Sequence, residues 1–305
     1  MKFRVRIPAT TTNFGPGFDV LGMALNLYNE IEVTEDENKS SGCVIEIIGE
    51  GENSLPKDNT NILCKAMSKV FQVVGLRKIP SLKLKLFNRI PLASGLGSSA
   101  AARVGGMVAA NYLCGNKLPK EKMLEIAAEL EGHPDNVAPA IFGGLCISYS
   151  IGKEVKCVKI VPPQNLDQIV CVPDFELPTK KARKILPEQI SRKAAVYNIS
   201  RTALLIDAFV NKRYDLLSVA TQDMLHQPFR KKFIPGFDNI SANAIEHGAL
   251  GVFLSGSGPS IMALSSSNRR KSGQIADCMR KVFKKHRIDS KTSILSADTQ
   301  GAKII

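Results

Sequence analysis

Pro91-Leu92-Ala93-Ser94-Gly95-Leu96-Gly97-Ser98-Ser99-Ala100-Ala101-Ala102 is a glycine- and serine-rich stretch that runs directly into an alanine-rich segment. Upstream, Leu82, Leu84 and Leu86 alternate with Lys83 and Lys85, the period of two that marks a half-buried strand. Downstream, Ala100, Ala101, Val104, Met107, Val108 and Leu113 recur at helical spacing, so the stretch predicts a loop joining a strand to a helix N-terminus. Such a junction combines unpaired backbone N–H groups with the positive end of a helix dipole, and Gly95 and Gly97 let the main chain approach a ligand unobstructed. Anions bind there readily. Ser98 and Ser99 are expected to cap the helix, and a hydroxyl here suits an oxygen ligand of Mg²⁺ on a nucleotide. An ordinary capped helix after a glycine turn is the alternative reading.

Two other stretches carry polar side chains in unusual density. Residues 3–7 read as a first strand that Pro8 ends, followed by Pro8-Ala-Thr-Thr-Thr-Asn-Phe-Gly-Pro-Gly-Phe-Asp19, an irregular segment presenting Asn13 and Asp19. Taken singly, Asx side chains in such a loop satisfy local N–H groups. Further on, a helix with the apolar stripe Met123, Ile126, Ala127 and Leu130 is stopped by Gly132, within Glu131-Gly-His-Pro-Asp-Asn136. A carboxylate, an imidazole, a second carboxylate and an amide therefore meet at one helix end. Three readings compete for this cluster. Pro134 interrupts any regular ligand spacing for a His-carboxylate metal site; a structural loop is the plainest reading; the third is a kinase site in which one carboxylate completes a Mg²⁺ shell and the other meets the substrate.

The loop at 91–102 lacks the Gly-Lys-Ser/Thr ending of a P-loop. Its form resembles the ATP loop of the GHMP kinases, named for galactokinase, homoserine kinase, mevalonate kinase and phosphomevalonate kinase. Pro8–Asp19 resembles the first motif of that family, and Gly251-Val-Phe-Leu-Ser-Gly-Ser-Gly-Pro-Ser-Ile-Met-Ala-Leu264 resembles the third. Glu131–Ala140 resembles the homoserine kinases closely and the mevalonate or galactose enzymes much less.

The resemblance implies an α+β, two-domain GHMP kinase fold. Residues 1–161 would form the ATP-binding domain, like domain two of ribosomal protein S5, and residues 162–305 a ferredoxin-like domain beginning at Pro162-Pro163. It further implies ATP-dependent phosphorylation of L-homoserine to O-phospho-L-homoserine, a step towards threonine. On this reading ATP lies along Pro91, Leu92, Ala93, Ser94, Gly95, Leu96, Gly97, Ser98, Ser99, Ala100 and Ala101, with Asn61 at the base edge. Mg²⁺ is held by Ser99 and Glu131, with Glu129 as the substitute. Homoserine meets Asn13, Asp19, His133, Asp135, Arg183 and Arg230, and Asn136 or Asp135 orients its hydroxyl. No general base is assigned, because a loose phosphoryl-transfer transition state asks for little prior deprotonation.

Composition agrees with a two-domain globular enzyme of 305 residues: 44% are hydrophobic and 23% charged, and no apolar run approaches the ~20 residues that span a bilayer. Met1-Lys-Phe-Arg-Val-Arg-Ile-Pro8 reads as a strand rather than a signal peptide. Seven cysteines without a Cys-x-x-Cys pair favour free thiols in a reducing cytoplasm. The net charge of +13 allows phosphorylated small molecules, anionic membrane or nucleic acid. With no aromatic stacking run or low-complexity tail, an RNA-binding role of an S5-like fold ranks below a kinase, and another GHMP alcohol kinase is the nearer rival. No nucleic-acid or membrane partner is expected, and homodimerisation is left open. Other expected elements are strands at 30–33 and 44–48 around a hairpin-like stretch Glu35–Gly42, and helices at 58–74, 180–186, 192–210, 214–225 and 270–286.

Overall fold

A computed structural model describes residues 1–35, 42–76 and 80–305. The first half runs β1 (Lys2–Asn13), β2 (Gly17–Glu35), β3 (Cys43–Gly49), α1 (Ile62–Val73), β4 (Leu82–Asn88), α2 (Ser98–Leu113), α3 (Lys120–Glu131), α4 (Val137–Phe142), β5 (Leu145–Ile151) and β6 (Glu154–Ile160). The second runs β7 (Leu166–Pro173), α5 (Thr179–Lys184), α6 (Arg192–Val210), α7 (Leu217–Ala220), α8 (Gln227–Arg230), α9 (Phe237–Glu246), β8 (Gly251–Leu254), β9 (Ile261–Ser266), α10 (Arg269–Lys285), β10 (Ser290–Leu295) and β11 (Lys303–Ile304).

Two sheets result, and the fold is α+β as expected. The larger has the order β11-β1-β2-β4-β3, with β5 pairing β2 and then β6. The smaller has the order β10-β7-β9-β8, all antiparallel, which in chain order is fourth-first-third-second, the ferredoxin-like arrangement. The 161/162 division falls in the connection from β6 to β7, but β11 crosses back to pair with β1 at Val5↔Ile304, so the last residues belong by hydrogen bonding to the first sheet.

Several local expectations are corrected. Pro8 does not end β1. It sits where the β1–β2 register shifts between Pro8 and Ala9, a break at which its missing N–H is tolerated, and the β-branched run Thr10–Thr12 carries the strand on to Asn13. The segment read as irregular is therefore mostly a long hairpin, with left-handed backbone at Asn13, Phe14 and Asp19. The strands flanking 35–42 are not partners, because β4 lies between them, antiparallel to β2 and parallel to β3; residues 36–41 of that stretch lie outside the described residues. Asn61 caps α1, accepting the N–H of Leu63, while Asn59 accepts that of Cys43. The helix expected at 214–225 is a 3-10 turn followed by the short α7. The Asp223 carboxylate accepts the N–H groups of Leu225, His226 and Gln227, which stops the helical run and starts α8.

The hairpin turn is clamped between the two halves. Phe14, fully buried, meets Phe209 of α6 edge-on at 5.8 Å and Phe253 of β8 at 4.8 Å. Burying one such ring is worth roughly 2–3 kcal/mol, so Asn13 and Asp19 project from a rigid seat. The opposite face of the smaller sheet packs on α9 through Ile240 and Ala244 and on α10 through Ile275, Met279, Val282 and Phe283, leaving Lys281, Lys284 and Lys285 in solvent.

Candidate active site

The glycine-serine loop is anchored from both sides. Asn29 of β2 accepts the N–H groups of Arg89 (2.7 Å) and Ile90 (2.9 Å), which fixes the chain as it leaves β4. Thr10 N–H donates to Leu96 O at 3.1 Å, Ser255 Oγ to Gly95 O at 2.6 Å, and Ser260 N–H to Ser94 O at 3.1 Å. Asn13 Nδ2 donates to Gly256 O at 3.0 Å, and the hydroxyls of Thr11 and Ser255 lie 2.9 Å apart. Three stretches far apart in sequence thus form one hydrogen-bonded block. Gly95 and Gly97 have φ of +84° and +72°, and a Cβ on Gly95 would stand 2.2 Å from Ser255 O. Ser98 and Ser99 do not cap α2: the N-cap is Gly97, no side chain caps it, and both serines occupy the first turn. The N-terminal N–H groups of α2 are therefore left without a side-chain acceptor, as an anion site requires.

Two cavities adjoin this helix start. One, of about 420 Å³, is mostly apolar, walled by Leu55, Pro56, Ile62, Leu63, Leu86 and Leu92. The other, of about 100 Å³, is lined by Asn13, Asp19, His133, Asp135, Asn136, Arg183 and Arg230. Ala93, Ser98 and Ser99 border both, so an elongated ligand crossing the helix start reaches from one to the other.

The smaller cavity concentrates charge of both signs. Arg183 donates from both Nη atoms to the two Asp19 oxygens (2.9 and 2.7 Å), and this pairing raises the guanidinium pKa. His133 Nδ1 lies 2.5 Å from Asp135 Oδ1; burial works to lower the imidazole pKa, but the bond and charge of Asp135 outweigh it and the pKa rises. Asn136 is held by Thr10, whose hydroxyl donates to Asn136 Oδ1 at 2.8 Å. Arg230 is 1% exposed: Nε donates to Ala182 O (3.2 Å), while Nη1 reaches Gly256 O (3.0 Å) and His226 Nδ1 (3.2 Å). Burial, then the charge of Arg183, lowers the Arg230 pKa to about 10.

At the rim, Ser99 Oγ lies 3.3 Å from Glu131 Oε2. Adjacent oxygens on an octahedral ion with bonds of about 2.1 Å are about 3.0 Å apart, so the pair suits a small divalent cation. No group of three or more His, Cys, Asp or Glu among the described residues could hold a metal, so an ion here would draw its remaining ligands from phosphate and water. Glu129 is excluded as the substitute, being turned outwards to Lys69 at 2.9 Å.

The sequence matches the family models for the GHMP kinase N-terminal domain over residues 61–144 and the C-terminal domain over residues 205–285. A homoserine kinase of Desulfitobacterium hafniense is 43% identical over 302 residues, 99% of each chain. One from Caldicellulosiruptor bescii is 49% identical over 264 residues, 87% of this chain and 84% of that one. The crystal structure of homoserine kinase from Cytophaga hutchinsonii superposes with a TM-score of 0.90 at 36% identity, covering 100% of this chain and 97% of that one. The chain belongs to the GHMP kinases, among the homoserine kinases.

In this GHMP kinase the structure brings together all the substrate-side residues singled out from sequence, yet engages some of them differently. Asn13 lines the small cavity, but its amide is committed to Gly256 O and to the N–H of Asp19. Asn61 lines the large cavity while its side chain caps α1 and donates to Pro56 O. Arg183 meets Asp19, a partner the sequence did not suggest. Missed altogether were Thr10 and Asn29, whose roles depend on tertiary contacts, and Arg103, which bridges Ser99 and Glu131.

His226 supports the kinase from beneath. Its Nε2 donates to Gly15 O at 2.7 Å, so Nδ1 is the acceptor that meets Arg230. Burial lowers its pKa to about 4, partly opposed by Asp223. A depressed folded-state pKa contributes stability that is complete above the unfolded value near 6.5 and is lost as pH falls towards 4. Wild-type protein is expected to lose about 3 kcal/mol more than His226→Gln over that window. Urea unfolding of both proteins between pH 7 and 4 checks this; parallel curves would contradict it.

Proposed function

We propose that this kinase transfers the γ-phosphoryl group of ATP to the side-chain hydroxyl of L-homoserine, yielding O-phospho-L-homoserine and ADP, the precursor step to threonine. The observation that carries the reading is the small cavity, in which three carboxylates, Asp19, Glu131 and Asp135, and two guanidiniums, Arg183 and Arg230, line a space of about 100 Å³ beside an uncapped helix start. A zwitterionic amino acid needs both signs of charge, and a short alcohol fits the space.

The adenine occupies the apolar cavity and the polyphosphate runs along the loop amides at 95–99. The substrate ammonium is received by Asp19 and Asp135. Its carboxylate is received by Arg183 and by Nη2 of Arg230, which makes no hydrogen bond to a described residue while the guanidinium lies over the Phe18 ring. Arg183 must then divide its fork between Asp19 and the ligand, a geometry that a planar guanidinium allows and an ammonium does not. Asn136, fixed by Thr10, orients the hydroxyl for in-line attack: the new O–P bond forms as the bond to the β-phosphate oxygen breaks, and the hydroxyl proton passes late to an oxygen of the transferred phosphoryl group. Mg²⁺ held by Ser99 and Glu131 would neutralise phosphate charge during transfer.

Coupled assay of ADP release over a panel of small alcohols tests the assignment. Turnover with L-homoserine is expected to exceed that with mevalonate or shikimate by more than about 10²-fold, the cost of leaving built-in polar partners unpaired. Turnover of another alcohol with none of homoserine would select a different GHMP kinase.

A further inference from the structure

Arg103 and Glu131 are each placed against the field of their own helix. Arg103 lies in the second turn of α2, and a helical side chain leans back towards the N-terminus, so its cation sits over the positive end of that dipole. Glu131 is the last residue of α3, at the negative end of its own. Each position is unfavourable alone, and each is explained by the other. Nη1 of Arg103 donates both to Glu131 Oε2 and to Ser99 Oγ, one helical turn away. The pair is largely enclosed, with side chains 20% and 12% exposed, where removing one partner leaves a charge uncompensated.

From this geometry we infer that Arg103 is a built-in counter-ion for the metal site: it holds Ser99 and Glu131 converged before a divalent cation arrives, and competes with that cation for Glu131. The inference rests on the reading of Ser99 and Glu131 as metal ligands. Arg103 touches no reacting atom in this account and is a positioning residue. A bare divalent ion must displace a positive charge already seated against Glu131 Oε2. The metal therefore binds well only with the nucleotide, whose phosphates bring the compensating negative charge.

The test uses Mn²⁺ and nucleotide-free protein, with binding followed by electron paramagnetic resonance. Wild type is expected to bind Mn²⁺ weakly, Arg103→Met at least about 10-fold more tightly, and Arg103→Lys close to wild type. Arg103→Met should also melt at a lower temperature in chelator and recover on adding Mn²⁺, whereas wild type responds little. Arg103→Gln, which keeps a donor but no charge, serves if the methionine variant does not fold, with the same expected gain. Equal Mn²⁺ affinity in wild type and the neutral variants, together with weakened Mn²⁺·AMP-PNP binding in Glu131→Gln, would overturn the counter-ion role and leave the metal ligands standing. Unchanged Mn²⁺·AMP-PNP binding in Glu131→Gln would remove the metal reading itself, and the counter-ion role with it.

Discussion

Gly97→Ala is expected to lower kcat/KM for ATP by at least about 10²-fold and stability by about 2–5 kcal/mol. The residue sits at φ +72°, where a side chain is strained whatever the surrounding space, and its Cβ would stand 1.9 Å from Thr10 Oγ1 and 2.9 Å from Asn136 Oδ1. Left-handed backbone costs about 1–2 kcal/mol for a residue with a Cβ, and overpacking a filled site about 1–3 kcal/mol. The collision strikes the hydrogen bond from Thr10 to Asn136 while tilting the first N–H groups of α2. Misplacement of a reacting group by about 1 Å costs about 10²-fold in rate, and here two groups move together. Removing the struck hydroxyl, in Gly97→Ala with Thr10→Ala, should restore part of the lost stability without restoring activity, because the backbone strain and the freed Asn136 remain. Steady-state kinetics and thermal melting of both variants check this; a single variant with wild-type kinetics would show that the loop does not cradle phosphate.

Glu131→Gln is the second large expected effect, a fall in kcat of about 10²–10³-fold in a protein that keeps its fold but melts at a lower temperature, because Arg103 loses its counter-charge. Glutamine keeps the size of the side chain and a carbonyl that accepts from Arg103 and Ser99, so the local packing survives. What is lost is the negative charge that lies 3.3 Å from the Ser99 hydroxyl, where a divalent ion would be held. Turnover at saturating substrates over a Mg²⁺ titration reads this, with far-UV circular dichroism as the control for fold. An unchanged rate would take Glu131 out of the metal shell.

Local chemistry was legible in the sequence and tertiary partnership was not. The composition of 91–102 announced a loop that needs positive φ and a helix start behind it, because glycine and serine impose those properties wherever they lie. Helix α6 matched its apolar periodicity at both ends, and Gly132 stopped α3 in the left-handed conformation expected of it. Pro8 misled because proline ends a strand only where its nitrogen must donate, and a register shift in β2's pairing removes that demand. The 214–225 pattern misled because three N–H groups bound to Asp223 outweigh helical periodicity. Arg230 reads from sequence as a grip for the substrate carboxylate, but that its Nε and Nη1 are spent as a buried strut against Ala182, Gly256 and His226 is set by contacts that only the folded chain supplies. Likewise Ser98 and Ser99 carry good capping chemistry, but Gly97 turns left-handed ahead of them and places both inside the helix.

The central claim is spatial: a triphosphate crosses the start of α2 and an amino-acid alcohol lies in the charged cavity beyond it. A crystal structure with AMP-PNP, Mg²⁺ and L-homoserine tests this most directly. The account predicts phosphate oxygens on the amides of residues 95–99, the base among Leu55, Ile62 and Leu92, and the homoserine hydroxyl about 3–3.5 Å from the γ-phosphorus with its carboxylate on Arg183. Nucleotide bound away from that helix start, or homoserine with its carboxylate turned from both arginines, would contradict it.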